Sequence, residues 1–252
     1  MKIPNIRIFG LPISKLSFEK TVDLAYDFLS DTKPHIIFTP NPEILMSARN
    51  ETDEMHWLLS QADLLTPDGI GVVYASKIMG NPIKERVPGF DTACALLERI
   101  QDGSHSLYLL GGKPGVAEQA AENIRAKYPN IKILGTHDGY FVDTEPIVTE
   151  IAELSPDLLF VCLGSPKQER FAVAYRNRLN CKLMMGLGGS LDVFAGTVKR
   201  APAIFQKLGL EWFYRLCKQP SRFARMLSLP HFALIIIKDR ILKGRVKNER
   251  ES

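Results

Sequence analysis
Acidic and amide side chains occur in several short segments of this sequence that contain proline and glycine. Asp68 lies in residues 66–69 (TPDG), and its carboxylate has the chemistry of a general base toward a hydroxyl group. The commoner use of an aspartate at such a position is to cap a helix. Thr39 and Asn41, in residues 39–42 (TPNP), have the same two interpretations, because an asparagine before a proline is a good capping pair. Singly, these residues do not decide between catalysis and capping.

Residues 164–169 (GSPKQE) follow a continuous apolar run and have the features of a helix start. Ser165 is placed to cap the helix, Pro166 suits its first turn, and Gln168 follows Ser165 at the spacing of a capping box. A helix N-terminus is also a place where a phosphate group binds. Taken alone, these residues favour the capping interpretation of Gln168.

Arginines that could meet the negative charge of a diphosphate occur in two regions. Arg86 lies in a turn-rich segment, where an arginine is usually just solvated. Near the C-terminus four cations are spaced three, four and three residues apart, which is one face of a helix: Arg215, Lys218, Arg222 and Arg225. Pro220 interrupts that helix, so two short helices that meet at a corner are predicted. In either arrangement several guanidinium groups converge on one region, and the guanidinium fork suits a diphosphate.

The motifs of several common ligand sites do not occur in the sequence. No G-x-G-x-x-G follows a predicted strand, and residues 111–115 (GGKPG) are not a P-loop. There is no D-x-D pair for a divalent cation and no His or Cys cluster with metal spacing. We therefore predict no metal and no cofactor, with leaving-group charge met by arginines, backbone amides and helix N-termini.

Short apolar runs alternate with amphipathic stretches along most of the chain. Strands are predicted at residues 6–9, 35–39, 63–66, 106–110, 132–134, 158–163 and 183–187, with helices between most of them. This alternation predicts a mainly parallel, doubly wound α/β sheet of the Rossmann-like kind. Ligands of such sheets bind beyond the carboxyl ends of the strands. There the sequence has loops of small residues with one functional side chain each, and they include Gly112, Gly164 and Asp192.

The C-terminal part of the chain differs from the rest in pattern and in charge. We predict an α/β domain over residues 1–197 and a basic helical appendage over residues 198–252. Residues 215–252 contain ten Lys or Arg against three acids, a net charge of +7, which leaves −3 for the residues before them. A basic tail favours phosphate in nucleic acid, anionic lipid or a phosphorylated substrate. Its apolar stretch at residues 232–237 suits a helix in the membrane interface or, equally, a core helix with a solvated cationic face.

The cysteines and the N-terminal residues indicate the cellular compartment in which the protein is expected. The four cysteines are scattered without a C-x-x-C pair, which indicates reduced packing residues rather than disulfides. The N-terminal residues lack the apolar core and cleavage site of a signal peptide. A cytoplasmic protein is predicted.

Nine ordered segments resemble a known family. They are residues 39–43 (TPNPE), 67–71 (PDGIG), 86–91 (RVPGFD), 110–114 (LGGKP), 138–141 (DGYF), 164–169 (GSPKQE), 186–196 (GLGGSLDVFAG), 198–202 (VKRAP) and 210–216 (LEWFYRL). Together, from about residue 5 to about residue 230, they resemble the WecG/TagA/CpsF family, glycosyltransferase family 26. The TagA branch, which builds the linkage unit of wall teichoic acid, looks most similar, and residues 188–225 also look like WecG.

The resemblance implies an activity and roles for particular residues. The family transfers N-acetylmannosamine from UDP-N-acetylmannosamine to the 4-hydroxyl of N-acetylglucosamine on undecaprenyl diphosphate, with inversion and without a metal, at the inner face of the cell membrane. Asp68 matches the catalytic base. The residues that match the lining of the sugar and diphosphate pocket are Thr39, Asn41, Arg86 and Gln168. The loop glycines Gly112 and Gly164 are expected beside that pocket. Uridine recognition is assigned to Asp192, and closure of the active site to Arg215, Arg222 and Arg225.

Other functions remain open at this point. The same fold could transfer another UDP-hexose or a uronic acid to a lipid-linked acceptor, or it could be a non-catalytic module that binds a nucleotide sugar or an anionic lipid. Nucleic-acid binding is disfavoured because the basic tail has few interleaved aromatic residues. The sequence does not tell whether subunits associate into a homo-oligomer.

Overall fold
The computed structural model describes residues 3–207, 209–218 and 228–251. Eight strands form one sheet in the order β1-β2-β4-β3-β8-β7-β5-β6. All neighbouring strands are parallel except β1 and β2. The mainly parallel α/β sheet predicted from the sequence is confirmed. The strands are β1 (Asn5–Ile8), β2 (Leu11–Ser14), β3 (His35–Phe38), β4 (Leu64–Leu65), β5 (Ser106–Gly111), β6 (Lys132–His137), β7 (Leu158–Cys162) and β8 (Leu183–Gly186).

Helices follow most strands and cover both faces of the sheet. They are α1 (Phe18–Phe28), α2 (Pro42–Ser47), α3 (Glu54–Ser60), α4 (Ile70–Ile78), α5 (Gly89–Arg99), α6 (Val116–Lys127), α7 (Glu145–Leu154), α8 (Lys167–Tyr175), α9 (Ser190–Phe194), α10 (Ala203–Lys207), α11 (Glu211–Lys218) and α12 (Ser228–Glu251). Two clusters of buried apolar side chains lie between these helices and the sheet, one on each face. Because both faces are covered, β5, β7 and β8 are buried at every position, which explains their continuous apolar runs.

Strand β2 is absent from the sequence prediction. Ile8 pairs with Leu11, so Phe9 and Gly10 alone make the turn between β1 and β2. Both turn residues have positive φ, 51° at Phe9 and 81° at Gly10, as the tightest hairpin turns require. Phenylalanine is rare in that conformation, and the usual Asn-Gly or Asp-Gly signal is therefore missing here.

The helix starts confirm one predicted cap and correct two others. Asn41 caps α2 through its side-chain oxygen, which accepts from the backbone amide of Ile44 at 2.9 Å, and Pro42 begins the helix. The capping interpretation of Asp68 is wrong, since Gly69 occupies the N-cap position of α4 with a φ of 85°. The capping box of Ser165 and Gln168 is also wrong. Pro166, whose side chain has no hydrogen-bond acceptor, is the N-cap of α8, and the Gln168 side chain turns into the protein.

Helix α12 packs against the α/β body through α2 and α4. Phe232, Ile235 and Ile236 are buried on that face, and the ring of Phe232 meets the edge of Phe9 at 5.8 Å between centroids. The opposite side exposes three apolar side chains, those of Leu234, Ile237 and Ile241. Residues 232–237 thus contribute to the core on one face and retain an exposed apolar face. Within the described residues, no helix is both long and apolar enough to cross a membrane.

Candidate active site
A cavity of about 450 Å³ opens at the carboxyl ends of β3, β4 and β8. Thr39 and Asn41 reach it from the segment after β3, and Asp68 reaches it from the segment after β4. Gly189 and Ser190 line it from the turn after β8. The structure therefore brings together three of the residues selected from the sequence, at the edge of the sheet where ligands of such folds bind.

Asp68 is held at the cavity by backbone hydrogen bonds between neighbouring loops. The amide of Thr66 donates to the carbonyl of Phe38 at 3.0 Å, and the amide of Asp68 donates to the carbonyl of Pro40 at 3.3 Å. The Asp68 side chain is partly buried and lines the cavity. A carboxylate fixed in this way at a cavity wall is able to accept a proton from a bound hydroxyl group.

The same loops place the N-terminus of α5 at the cavity. The Thr66 hydroxyl donates to the carbonyl of Val87 at 3.2 Å, and the amide of Val87 donates to the carbonyl of Pro67 at 2.9 Å. Two residues later α5 begins at Gly89, where a Cβ would lie only 2.9 Å from the Thr39 side chain. Glycine is required at this close approach. The partial positive charge of the helix N-terminus is thereby brought beside Thr39, where it favours a negatively charged ligand.

Gln168 lies behind the cavity wall rather than on it. Its side chain is 4% exposed, and its oxygen accepts from the backbone amide of Gly188 at 2.8 Å. Its nitrogen donates to the Glu169 carboxyl at 3.0 Å. Burial raises the pKa of the Glu169 carboxyl, while the hydrogen bond from Gln168 opposes that shift. The amide predicted to contact the donor is thus bonded within the protein in this structure.

Two arginines near the cavity share one carboxylate. Arg86 forms an ion pair with Glu211 of α11 and donates to the carbonyl of Gln206 at 3.2 Å. Arg200, which lines the cavity, donates to Glu211 at 3.4 Å and to Asp91 at 2.8 Å. Arg86 was selected from the sequence, whereas Arg200 and Glu211 were not. Both missed residues lie inside segments that carry the family resemblance, residues 198–202 and 210–216, and this was the available signal.

The remaining predicted residues lie away from the described lining of this cavity or outside the described residues. Gly112 follows β5, Gly164 follows β7 and Asp192 lies on α9, all along the same carboxyl edge of the sheet. Arg222 and Arg225 fall outside the residues that the structure describes. Arg215 belongs to α11, but its side chain is not among the described atoms.

Comparison with protein families shows the family to which the chain belongs. The model of the glycosyl transferase WecG/TagA/CpsF family matches residues 6–246. The chain belongs to this family. Among its curated relatives, a protein of Bacillus spizizenii (strain W23) is 38% identical over 233 residues, which cover 90% of each chain. A protein of Bacillus subtilis (strain 168) is 42% identical over 204 residues, which cover 81% of this chain and 79% of the relative.

A third relative, from Staphylococcus aureus (strain MRSA252), is 34% identical over 236 residues, which cover 93% of this chain and 92% of the relative. All three relatives carry the name N-acetylglucosaminyldiphosphoundecaprenol N-acetyl-beta-D-mannosaminyltransferase. The resemblance to the WecG/TagA/CpsF family inferred from nine segments is thereby confirmed over nearly the whole chain.

The cavity of this WecG/TagA/CpsF chain has a polar side and an apolar side. The polar side contains Asp68, Thr39 and Arg200. The apolar side lies between α4, α11 and α12 and is lined by Tyr74, Ile78, Trp212, Leu229, Phe232 and Ala233. Tyr74 is 54% exposed and Trp212 is 36% exposed, so this side opens to the surface. A ligand with a polar head and an apolar tail matches both sides.

Proposed function
We propose that this chain transfers N-acetylmannosamine from UDP-N-acetylmannosamine to the 4-hydroxyl of N-acetylglucosaminyl-diphospho-undecaprenol, with inversion and without a metal. Named relatives at 34–42% identity over most of the chain support the sugar and the acceptor. The structural observation that carries the proposal is the position of Asp68, whose carboxylate lines a cavity with one polar and one apolar side. The teichoic acid linkage unit is the polymer context that the family resemblance favours.

The reaction requires one base and a source of positive charge. The acceptor oxygen forms a bond to the anomeric carbon as the bond from that carbon to the UDP oxygen breaks, and the electron pair leaves with UDP. Asp68 takes the proton of the acceptor hydroxyl. Arg200 and the N-terminus of α5 offset the charge of the departing diphosphate. In this proposal Arg86, Arg215, Arg222 and Arg225 add to that charge once the donor is bound.

The apolar side of the cavity suits the acceptor lipid. Tyr74, Ile78 and Leu229 offer an apolar surface in the same cavity as the polar wall, which suits a headgroup together with the start of its lipid chain. The exposed face of α12 carries Leu234, Ile237 and Ile241, beside the cations Lys238 and Arg240. We propose that this face contacts the inner leaflet of the cell membrane, as a peripheral attachment.

The test is transfer by the full chain with and without the base. Wild type and Asp68→Asn are incubated with a short-chain N-acetylglucosaminyl diphospholipid and a panel of UDP-sugars, with the product identified by mass spectrometry. Loss of a general base lowers the rate by about 10²–10⁴-fold. Asp68→Asn should therefore retain UDP binding, measured by calorimetry, while losing turnover. Asp53→Asn, at the N-cap of α3, is the matched control.

The outcomes separate the competing functions. Near-normal turnover by Asp68→Asn removes Asp68 from the role of base. Donor binding by the wild type without product in the presence of acceptor would favour a non-catalytic binding module. Product from another UDP-sugar alone would correct the donor. Turnover that persists in excess chelator is expected, and its loss would contradict a metal-independent reaction.

A further inference from the structure
Two adjacent polar side chains at the start of α8 are buried, although burial of a polar side chain lowers the stability of the fold. Gln168 is 4% exposed and Glu169 is 1% exposed. The second carboxyl oxygen of Glu169, Oε2, is buried and has no hydrogen-bond partner among the described residues. Burying a carboxyl group costs stability, and an apolar residue of similar size at that position would avoid the cost. The pair therefore calls for an explanation other than stability.

The contacts of the pair lead from Glu169 to the cavity wall. Glu169 Oε1 accepts from Gln168 Nε2 at 3.0 Å, and Gln168 Oε1 accepts from the amide of Gly188 at 2.8 Å. Gly188 has a φ of 55°, and the next two residues, Gly189 and Ser190, line the cavity. Two side chains thus connect a buried carboxyl group to the backbone turn beside the ligand.

Glu169 and the backbone amide of Gly188 together fix which way the Gln168 carboxamide faces. A carboxamide has a donor end and an acceptor end, and a carboxyl oxygen accepts a hydrogen bond in either protonation state if the proton resides on the other oxygen. Only one orientation sends the nitrogen of Gln168 to Glu169 and its oxygen to the Gly188 amide. The flipped carboxamide would set two donors against each other at Gly188 and two oxygens against each other at Glu169.

We propose that Glu169 is a positioning residue, which orients the Gln168 carboxamide and so holds the turn at Gly188 in the shape that donor binding needs. This inference rests on the proposed function, because it assigns the turn to the donor side of that site. Glu169 itself does not touch the donor. Its loss should weaken donor binding while acceptor binding and the chemical step change little.

The test compares variants that keep or remove the acceptor oxygen next to Gln168. Glu169→Gln keeps such an oxygen, Glu169→Leu removes it, and Gln168→Met breaks the same connection at its other end. Each full-length variant is measured for calorimetric binding of UDP-N-acetylmannosamine, for kcat, and for the KM of donor and acceptor. Glu150→Leu is the matched control, since Glu150 accepts from the hydroxyl of Tyr108 at 2.8 Å outside the described cavity lining.

We expect Glu169→Leu to raise the donor Kd and KM about tenfold, with kcat and acceptor KM within about twofold of wild type. Glu169→Gln should stay within about threefold for the donor. Gln168→Met should reproduce the leucine effect, and the double variant should be no worse than either single variant. Glu150→Leu should lower the melting temperature without a change in donor binding.

Three results would overturn the inference. The first is wild-type donor affinity in Glu169→Leu, and the second is wild-type donor affinity in Gln168→Met, which remains decisive if the leucine variant does not fold. The third is a change in Glu169→Leu that lowers kcat and raises the KM of donor and acceptor equally, as a general distortion of the site predicts. Failure of the wild type itself to bind any UDP-sugar would instead refute the proposed function, and with it the donor role of the turn.

Discussion
Glu211 connects helix α11 to the α/β body through Arg86 and Arg200. The side chains of Glu211, Arg86 and Arg200 are 18%, 20% and 23% exposed. They are therefore partly removed from water, so the cluster should contribute more than an exposed ion pair, which is worth about 0–1 kcal/mol. It should contribute less than a fully buried pair, whose disruption costs about 3–5 kcal/mol. Glu211→Gln keeps the shape of the side chain and removes its charge.

From these limits we expect Glu211→Gln to weaken the docking of α11 by about 2 kcal/mol, which corresponds to about a 30-fold shift in the docking equilibrium. The assay is amide hydrogen exchange read by mass spectrometry. Amides of α11 should exchange about 30-fold faster in the variant if the helix opens as a unit, because exchange then follows the opening equilibrium. Amides of β7, which is buried throughout, should exchange at the wild-type rate.

A matched control is available on the surface. Glu54 pairs with Arg170 at 2.6 Å, but both side chains are more than half exposed. Glu54→Gln should leave exchange in every helix unchanged, since solvent screens an exposed pair. Unchanged exchange in α11 of Glu211→Gln, or the same acceleration in both variants, would refute the argument that partial burial makes the Glu211 cluster hold the helix.

Three further predictions concern thiols, backbone and pH. The exposed thiol of Cys217 alone should react with a thiol reagent in the folded chain, whereas all four thiols should react after unfolding. The reason is that burial raises the pKa of Cys94 to about 11 and the pKa of Cys162 and Cys181 to about 12. Gly111→Ala should lower the free energy of unfolding, measured by chemical denaturation, by more than about 3 kcal/mol, because its Cβ would lie 2.3 Å from the Cys162 carbonyl oxygen. Gly164 has open space around it, so Gly164→Ala should lower that free energy only by the backbone strain of about 1–2 kcal/mol. Burial raises the pKa of Glu169 above its ordinary value of 4.5, so the stability that its neutral form contributes is complete below that value and is lost as pH rises through the folded pKa. As pH rises above about 4.5, Glu169→Gln should therefore lose less stability than wild type, and parallel curves of stability against pH would contradict this.

Much of the architecture could be predicted from the sequence because it depends on local patterns. Continuous apolar runs mark the buried strands β5, β7 and β8, and the alternation with helices implies parallel pairing. Parallel pairing in turn brings the segments after β3 and β4 to one edge, which is why Thr39, Asn41 and Asp68 could be selected together. Strand β2 escaped prediction because its turn uses Phe9 at positive φ, a conformation that the surrounding structure enforces.

Other features of the site depend on contacts between distant parts of the chain. Spacing alone predicted that Gln168 would cap its own helix, but the protein turns this side chain inward toward Gly188, twenty residues later. Arg86 meets Glu211, which is 125 residues away along the chain, only because α11 packs beside the cavity. The sequence by itself determined seven of the eight strands, the two covered faces of the sheet and the edge that carries the site, since these follow from residue periodicity and short-range preferences. The partners of the buried polar groups were decided only by the tertiary structure, because a desolvated charge or amide bonds whichever partner the packing brings within reach.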